Sequence, residues 1–350
     1  MKGGDRMELD SRKLQILRAI VDEYILSASP VGSKSLSSHS EMKWSSATIR
    51  NEMADLETLG YLAQPHTSAG RIPSEKAYRL YVDQMMQRAN LSDEENKLLF
   101  GYFREHVNGV DAVLRETAKA LSEITHYTAV VMMPDIGVNR LKYLQLIPLT
   151  DGKALAVVVT DAGVSQNTVI DVPADIGPDE LDRISKAITA RFHDRRMSTV
   201  SSSLVRELGG ELSARADFVE SLLTALRENQ ANDRRMVELS GTTNMLEYPE
   251  YSDVAKAKTF LATVEQKDSM YRMLKRASNM EFTVTIGSEN EQEGFQDCSV
   301  VTASYRVNGT PVGSFGVIGP TRMDYARVLS ILKNVQSNLG TVLQSYLKEE

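Results

Sequence analysis

The residues whose types and spacing carry the most chemistry lie between positions 46 and 71. Ser46, Ala47, Thr48, Arg50 and Asn51 open a short helical run, and His66, Thr67, Ser68 and Arg71 follow in a polar turn bounded by proline and glycine. The Arg and Asn forks match the major-groove edges of guanine and adenine. Hydroxyls, imidazole and a second guanidinium in a turn suit phosphate or minor-groove contact. Other polar groups do not assemble into a catalyst. Asn139, Arg140, Asp161 and the run His193, Asp194, Arg195, Arg196 end helices or strands, where charge is ordinarily solvated, and no Ser/Cys–His or carboxylate pair stands at an interpretable spacing. His39, His66, His106, His126 and His193 are scattered without an i, i+4 pair or a Cys partner, so no metal is expected. Gly313, Gly316 and Gly319-Pro320 lie in a strand context and do not form a nucleotide loop, so no cofactor is expected either.

The elements that must position these side chains read as three helices and a hairpin. Asp10 opens a helix over 11–27, with Leu14, Leu17, Val21, Tyr24 and Ile25 on one stripe. Ser33 is expected to cap a second helix over 34–39, and the third starts at Ser45 or Ser46. Ile49, Met53, Leu56 and Leu59 supply its apolar side, and Gly60 is a natural left-handed stop. At about 100° per residue, the opposite side carries Ala47, Asn51, Ala54 and Thr58, with Thr48 and Arg50 on its flanks. Small residues with one Asn and one Arg can approach a groove closely. The hairpin tipped with Arg71 completes the pattern of a winged helix-turn-helix, with Arg50 and Asn51 as base readers and Ser46 and Thr48 nearer phosphates.

Composition places the chain among soluble globular proteins: 350 residues, 42% hydrophobic and 25% charged. The net charge of −7 would ordinarily argue against nucleic acid. Its distribution reverses part of that objection: residues 1–90 hold 12 Lys+Arg against 11 Asp+Glu, and the rest hold 28 against 36. A near-neutral module grips phosphates when its cations share one face. No apolar run reaches membrane-spanning length, and the start has no secretory h-region, so no membrane partner is expected. The lone Cys298 fits a cytoplasmic location and a core role.

Beyond the hairpin, helices are expected over 77–87 and 91–126, with a break at Asn108-Gly109, then a strand over 128–134. Three strands follow at 141–148, 154–160 and 166–172, the first pair joined by Asp151-Gly152. Helices resume from 178 to about 226, interrupted near 197–203 and at Gly209-Gly210, and 239–251 reads as a loop. Helices at 253–264 and 267–277 precede strands at 282–286, 299–307 and 313–318, and a last helix runs over 325–347.

Four stretches then carry a resemblance: Pro30-Val31-Gly32-Ser33, the run Ser46 to Met53, Leu59-Gly60-Tyr61-Leu62, and the run Thr67 to Pro73. Together with Gly319-Pro320-Thr321-Arg322-Met323-Asp324-Tyr325 they closely resemble the bacterial heat-inducible transcription repressor family HrcA. The resemblance implies an α+β multidomain protein: a winged-helix domain (1–90), a GAF-like domain (91–139 and 241–350), and an inserted dimerising domain (140–240) of a three-stranded antiparallel sheet plus helices. It also implies a non-enzymatic repressor of chaperone operons. In that picture a homodimer binds the inverted-repeat operator called CIRCE in double-stranded DNA, and a chaperonin partner keeps the repressor active until heat stress. Binding an inverted repeat calls for a two-fold dimer. An alternative makes the GAF-like domain the sensor of a small-molecule effector.

Overall fold

In a computed structural model the described residues are 9–40, 42–66, 69–87, 89–104, 110–132, 140–160, 165–195, 215–233, 237–307 and 309–346. The chain opens with α1 (Ser11–Ser27), capped by the Asp10 carboxylate, which accepts the Lys13 N–H at 2.8 Å. Ile16, Leu17, Ile20 and Val21 are buried on its inner stripe. Next come α2 (Ser33–Ser37) and α3 (Ser46–Thr58), with Leu36, Ile49, Met53 and Leu56 closing the core from the other side. Strands β1 (Leu62–Ala63) and β2 (Ile72–Pro73) pair antiparallel, Leu62 opposite Pro73 and Ala63 opposite Ile72. Three helices and a short antiparallel hairpin make a winged helix-turn-helix.

Two local details differ from expectation. Gly32, not Ser33, occupies the N-cap of α2, and Ser33 Oγ lies 3.0 Å from Ser46 Oγ, tying α2 to α3. The helix expected at 77–87 starts earlier, as α4 (Glu75–Leu80), because the Ser74 hydroxyl accepts the Ala77 N–H at 3.3 Å. It continues through a π turn, Tyr81–Met85.

Helices α5 (Asp93–Arg104) and α6 (Val110–Thr125) lead into β3 (Thr128–Met132). That strand joins a five-stranded antiparallel sheet of order β7-β3-β10-β9-β8, formed with β7 (Val237–Ser240), β8 (Phe282–Ile286), β9 (Cys298–Val307) and β10 (Thr310–Pro320). The period-2 alternation serves two cores. Ala129, Val131, Val301, Ala303, Tyr305, Phe315 and Val317 share one buried cluster with α6 and the last helix, Tyr325–Tyr346. Val130, Met132, Cys298, Val300 and Ile318 pack on the other face against helices Val254–Glu265 and Lys267–Ala277.

Between β3 and β7 the chain builds a separate body. Strands β4 (Leu141–Pro148), β5 (Lys153–Thr160) and β6 (Ser165–Asp171) form an antiparallel meander, covered on one face by α7 (Pro178–Phe192) and α8 (Ala216–Asp233). The expected helix breaks near 197–203 and at Gly209-Gly210 lie outside the described residues. The expected loop at 239–251 begins instead with β7, pairing Ala129 with Ser240 and Met132 with Val237. Residues 237–240 therefore belong to the five-stranded sheet rather than to the insertion, which shortens the expected 140–240 boundary. Numbering the remaining helices in chain order, Val254–Glu265 is α9, Lys267–Ala277 is α10 and Tyr325–Tyr346 is α11.

Candidate nucleic-acid interface

Ser45 caps α3: its hydroxyl accepts the Thr48 N–H at 3.2 Å and lies 3.0 Å from Thr48 Oγ1. At the other end Gly60 adopts φ 78°, with Gly60 N–H bonded to Glu57 O and Tyr61 N–H to Leu56 O, both at 2.9 Å. This is a Schellman stop, and a β-branched residue at position 60 would strain it. Between these ends Ala47, Arg50, Asn51, Ala54 and Thr58 are exposed, while Ile49, Glu52, Met53 and Leu56 are buried. The outward face is therefore the small polar one expected. Among the described residues, Arg50 and Asn51 make no side-chain hydrogen bond or ion pair.

The opposite side of α3 is braced by charge. Glu52 accepts from Arg12 Nη1 at 3.1 Å and from Lys13 Nζ at 2.7 Å, and Lys13 also reaches Asp55 at 3.1 Å. Hydrogen bonds to Glu52 and Asp55 raise the Lys13 ammonium above its ordinary range. A buried carboxylate with two cationic donors is the charge-assisted case, in which one bond contributes about 1.5–3 kcal/mol. It fixes the azimuth of α3 on α1, and with it the direction of Arg50 and Asn51.

Arg71 does not tip the wing. Its backbone exchanges two hydrogen bonds with Val31, at 2.9 and 2.8 Å, an isolated antiparallel bridge just before β2 that puts Arg71 at the wing's root. Its guanidinium donates Nε–H to Glu57 Oε2 at 2.9 Å, and Nη2 lies 2.8 Å from the same oxygen. The Val31 ladder also explains Gly70. A Cβ there would sit 2.3 Å from Val31 O, so any side chain would open the bridge. His66 is exposed near the tip, and its carbonyl accepts the Ala69 N–H at 2.9 Å. Thr67 and Ser68 lie outside the described residues. Ser46 is half-buried through its contact with Ser33, and Thr48 is half-buried beside the cap.

The wing root, α3 and the start of α2 enclose an open cleft of about 580 Å³ lined by Lys34, Arg50, Gln64, Gly70 and Arg71. Lys34 and Gln64 line this cleft although neither stands out in the sequence. Lys34 lies on α2, too short to show a periodic face, and Gln64 follows the two-residue β1 in the wing loop. Glu52 and Glu57 were likewise invisible, because their partners sit on α1 and at the wing root.

Elsewhere the described residues offer little chemistry. Burial pushes the Cys298 thiol up to about 12, and its sulfur lies 2.8 Å from Tyr251 Oη. That is a packed core thiol rather than a nucleophile. Among the described residues no group of His, Cys, Asp or Glu is arranged to hold a metal. No helix among them is long and apolar enough to cross a membrane. A cleft between α10 and β8 holds about 170 Å³, below the roughly 300 Å³ where small-molecule sites usually begin.

Comparison with known proteins shows the family. A family model for the HrcA protein C-terminal domain matches residues 111–329. The chain is 40% identical to the heat-inducible transcription repressor HrcA of Brevibacillus brevis over 341 residues, covering 97% of this chain and 100% of that one. It is 40% identical to the repressor of the same name from Pelotomaculum thermopropionicum over 346 residues, 98% and 99% of the two chains. The Clostridioides difficile protein of that name is also 40% identical, over 93% of this chain and 97% of its own. A crystal structure described only as a hypothetical protein shares the fold, with a TM-score of 0.62, 22% identity, and coverage of 97% of this chain and 100% of its own. The chain belongs to the HrcA family of heat-inducible transcription repressors.

Proposed function

We propose that the protein represses chaperone operons by binding, as a homodimer, an inverted-repeat operator of the CIRCE type, one α3 in each half-site. The observation that carries the reading is the outward face of α3. It presents Arg50 and Asn51 unpaired and exposed beside Ala47 and Ala54, on a helix whose other side is locked by Glu52. Preorganised forks on a narrow face are what major-groove readout requires. Ser46, Thr48, His66, Thr67 and Ser68 serve the flanking phosphates in this reading, Ala47 provides close approach, and Lys34 adds a cation at the rim of the cleft. Arg71 borders the same cleft, and its charge is shared with Glu57.

The support for a homodimer lies in the inserted body. One face of the β4-β5-β6 sheet is buried under α7 and α8. The other presents Tyr143, Ile147, Leu155, Val157, Val159 and Val169 at alternating positions, none of them buried. A two-fold related copy laying the same face against it would bury these apolar side chains around the polar rung of Gln145 and Asn167. The family resemblance adds the chaperonin, which holds the repressor in its folded form and is drawn away by misfolded protein on heating.

The test is a titration of purified protein on a fragment carrying the inverted repeat and on a scrambled fragment, in matched salt. Selective binding with two-fold stoichiometry is expected, and adding chaperonin should raise the active fraction. Equal affinity for the two fragments would defeat the proposal.

A further inference from the structure

The C-terminal run Gly319 to Tyr325 and the loop after β8 stand outside the proposed DNA-binding face, yet both reach the winged helix. Arg79 on α4 donates Nε–H to Glu289 Oε1 at 2.8 Å, pairs through Nη2 with Glu289 Oε2, and donates Nη2–H to Val284 O at 2.6 Å. Glu289 is itself oriented by the Ile286 N–H, 2.9 Å away. Four residues earlier, Glu75 accepts the Ser288 N–H at 3.1 Å and the Ser288 hydroxyl. Its carboxylate fills the space over Gly287, where a Cβ would sit 2.0 Å from Glu75 Oε1. Arg79 and Glu289 are 210 residues apart in sequence, so this is a contact between domains and not a local helix pair.

A second attachment holds the far end of α1. Arg322 donates Nη1–H to Ile25 O at 3.2 Å while its Nε bonds Glu250 Oε1 at 2.5 Å and its guanidinium lies 5.4 Å from the centre of the Tyr248 ring. Arg322 is only 12% exposed, and its geometry is set by that carboxylate and ring. Between the two attachments the buried Tyr78 packs on the buried Tyr325, with ring centroids 6.2 Å apart. One contact would leave a hinge. Two, one at the C-terminal end of α1 and one on α4, with a buried aromatic pair beside them, restrain that rotation.

We propose that Arg79, Glu289 and Arg322 are positioning residues forming a two-point mount that fixes the winged helix on the sheet domain, and so fixes the separation of the two recognition helices in the dimer. The proposal rests on the operator reading above. It deepens that reading by assigning half-site spacing to residues that never touch DNA. Two binding modules gain avidity only when their geometry lets both engage, so a rigid mount converts one orientation into one preferred spacing.

The experiment uses the full chain and a series of operators whose half-site spacing is stepped through about half a helical turn, roughly five base pairs. Wild-type protein should prefer one spacing over the worst by on the order of 100-fold, the avidity at stake in bivalent engagement. Arg79→Ala and Arg322→Ala should each compress that ratio to less than about 10-fold, with binding to an isolated half-site unchanged. A spacing profile as sharp as that of the wild type in both variants would overturn the mount.

A second readout needs no DNA. Fluorophores on Ala54→Cys and Lys333→Cys report the distance between the domains, Cys298 being buried. The distribution should be narrow in the wild type and broad after Arg79→Ala, and an unchanged distribution would overturn the mount as well. A variant that misfolds is replaced by Arg79→Cys with Glu289→Cys, compared before and after a short bismaleimide cross-link. Narrowing on cross-linking supports the mount, and no change overturns it. If the wild type bound no operator while the distribution broadened as stated, the operator reading would fail and the mount would stand.

Discussion

Two faces of this protein are open, and they are open in different ways. The outward side of α3 is narrow, small and polar, and its helix is held by ion pairs from Arg12 and Lys13 to Glu52. The outward side of the β4-β5-β6 sheet is broad and apolar, with Tyr143 44%, Ile147 40% and Val169 54% exposed. Among the described residues no charge pair crosses its centre; Lys153–Asp171 and Lys142–Asp194 stand at its margins. The first face keeps a few directional groups pointed at a hydrated, charged groove, where orientation decides the outcome. The second depends on area, and area rewards shape and dryness over orientation. A substitution should therefore act by misaiming or deleting a fork on α3, and by wetting the surface on the sheet.

The largest effect is expected on the sheet. Val169→Lys is harmless to a monomer with that side chain half in water. In a dimer the two-fold places the new charge twice in the apolar contact. An unpaired buried charge costs about 3–5 kcal/mol, so operator affinity should fall by at least about 100-fold and sedimentation should show monomers. Retained dimer and affinity would move the dimer contact off this face.

Arg50→Ala comes next. It should cost about 1–3 kcal/mol of discrimination between operator and scrambled sequence, with little change in non-specific binding, read by competition titration at fixed salt. A uniform loss on both sequences would make Arg50 a phosphate contact instead.

Glu52→Ala should lower winged-helix stability by about 2 kcal/mol, because it strips Lys13 and Arg12 of their shared acceptor. Melting reports it, and operator affinity should fall more than the stability loss alone implies, since α3 loses its azimuth. Unchanged melting would show the cluster to be a solvated surface network.

The smallest effect concerns pH. Burial works against ionisation of Glu289, but Arg79 and the Ile286 N–H outweigh it and hold the carboxyl below its ordinary 4.5. The sign follows from a depressed folded value. The contribution is complete above 4.5 and is lost as pH falls through the lower folded value. With more than a third of the side chain in water, screening keeps it to about 1 kcal/mol or less. Glu289→Gln should lower stability at neutral pH by about 1 kcal/mol or less and flatten the acid limb below 4.5, where the two proteins converge. An identical acid limb would leave the Arg79 pair without energetic weight.

The difference between the faces also explains what could be read from the sequence. The ends and outward face of α3 were legible because Ser45, the apolar series from Ile49 to Leu56, and Gly60 are local signals within one helix. The three strands of the inserted body were legible from alternation and Asp151-Gly152. Arg71 was misplaced at the wing tip because its position depends on Val31, at the end of the turn before α2, and on Glu57, 14 residues upstream. The passage 239–251 reads as loop from its first residues because the four residues of β7 carry no period of their own and only β3, far upstream, makes them a strand. The Arg79–Glu289 contact was beyond any local pattern. Features made by one element show in the sequence, and those made between elements need the fold.

The most direct test of the central claim is a hydroxyl-radical footprint of the full-length protein on a chaperone-promoter fragment containing the inverted repeat. The account predicts two protected patches related by a two-fold axis and centred one or more helical turns apart, both lost together in Val169→Lys. A single protected patch, or protection that ignores the repeat, would contradict it.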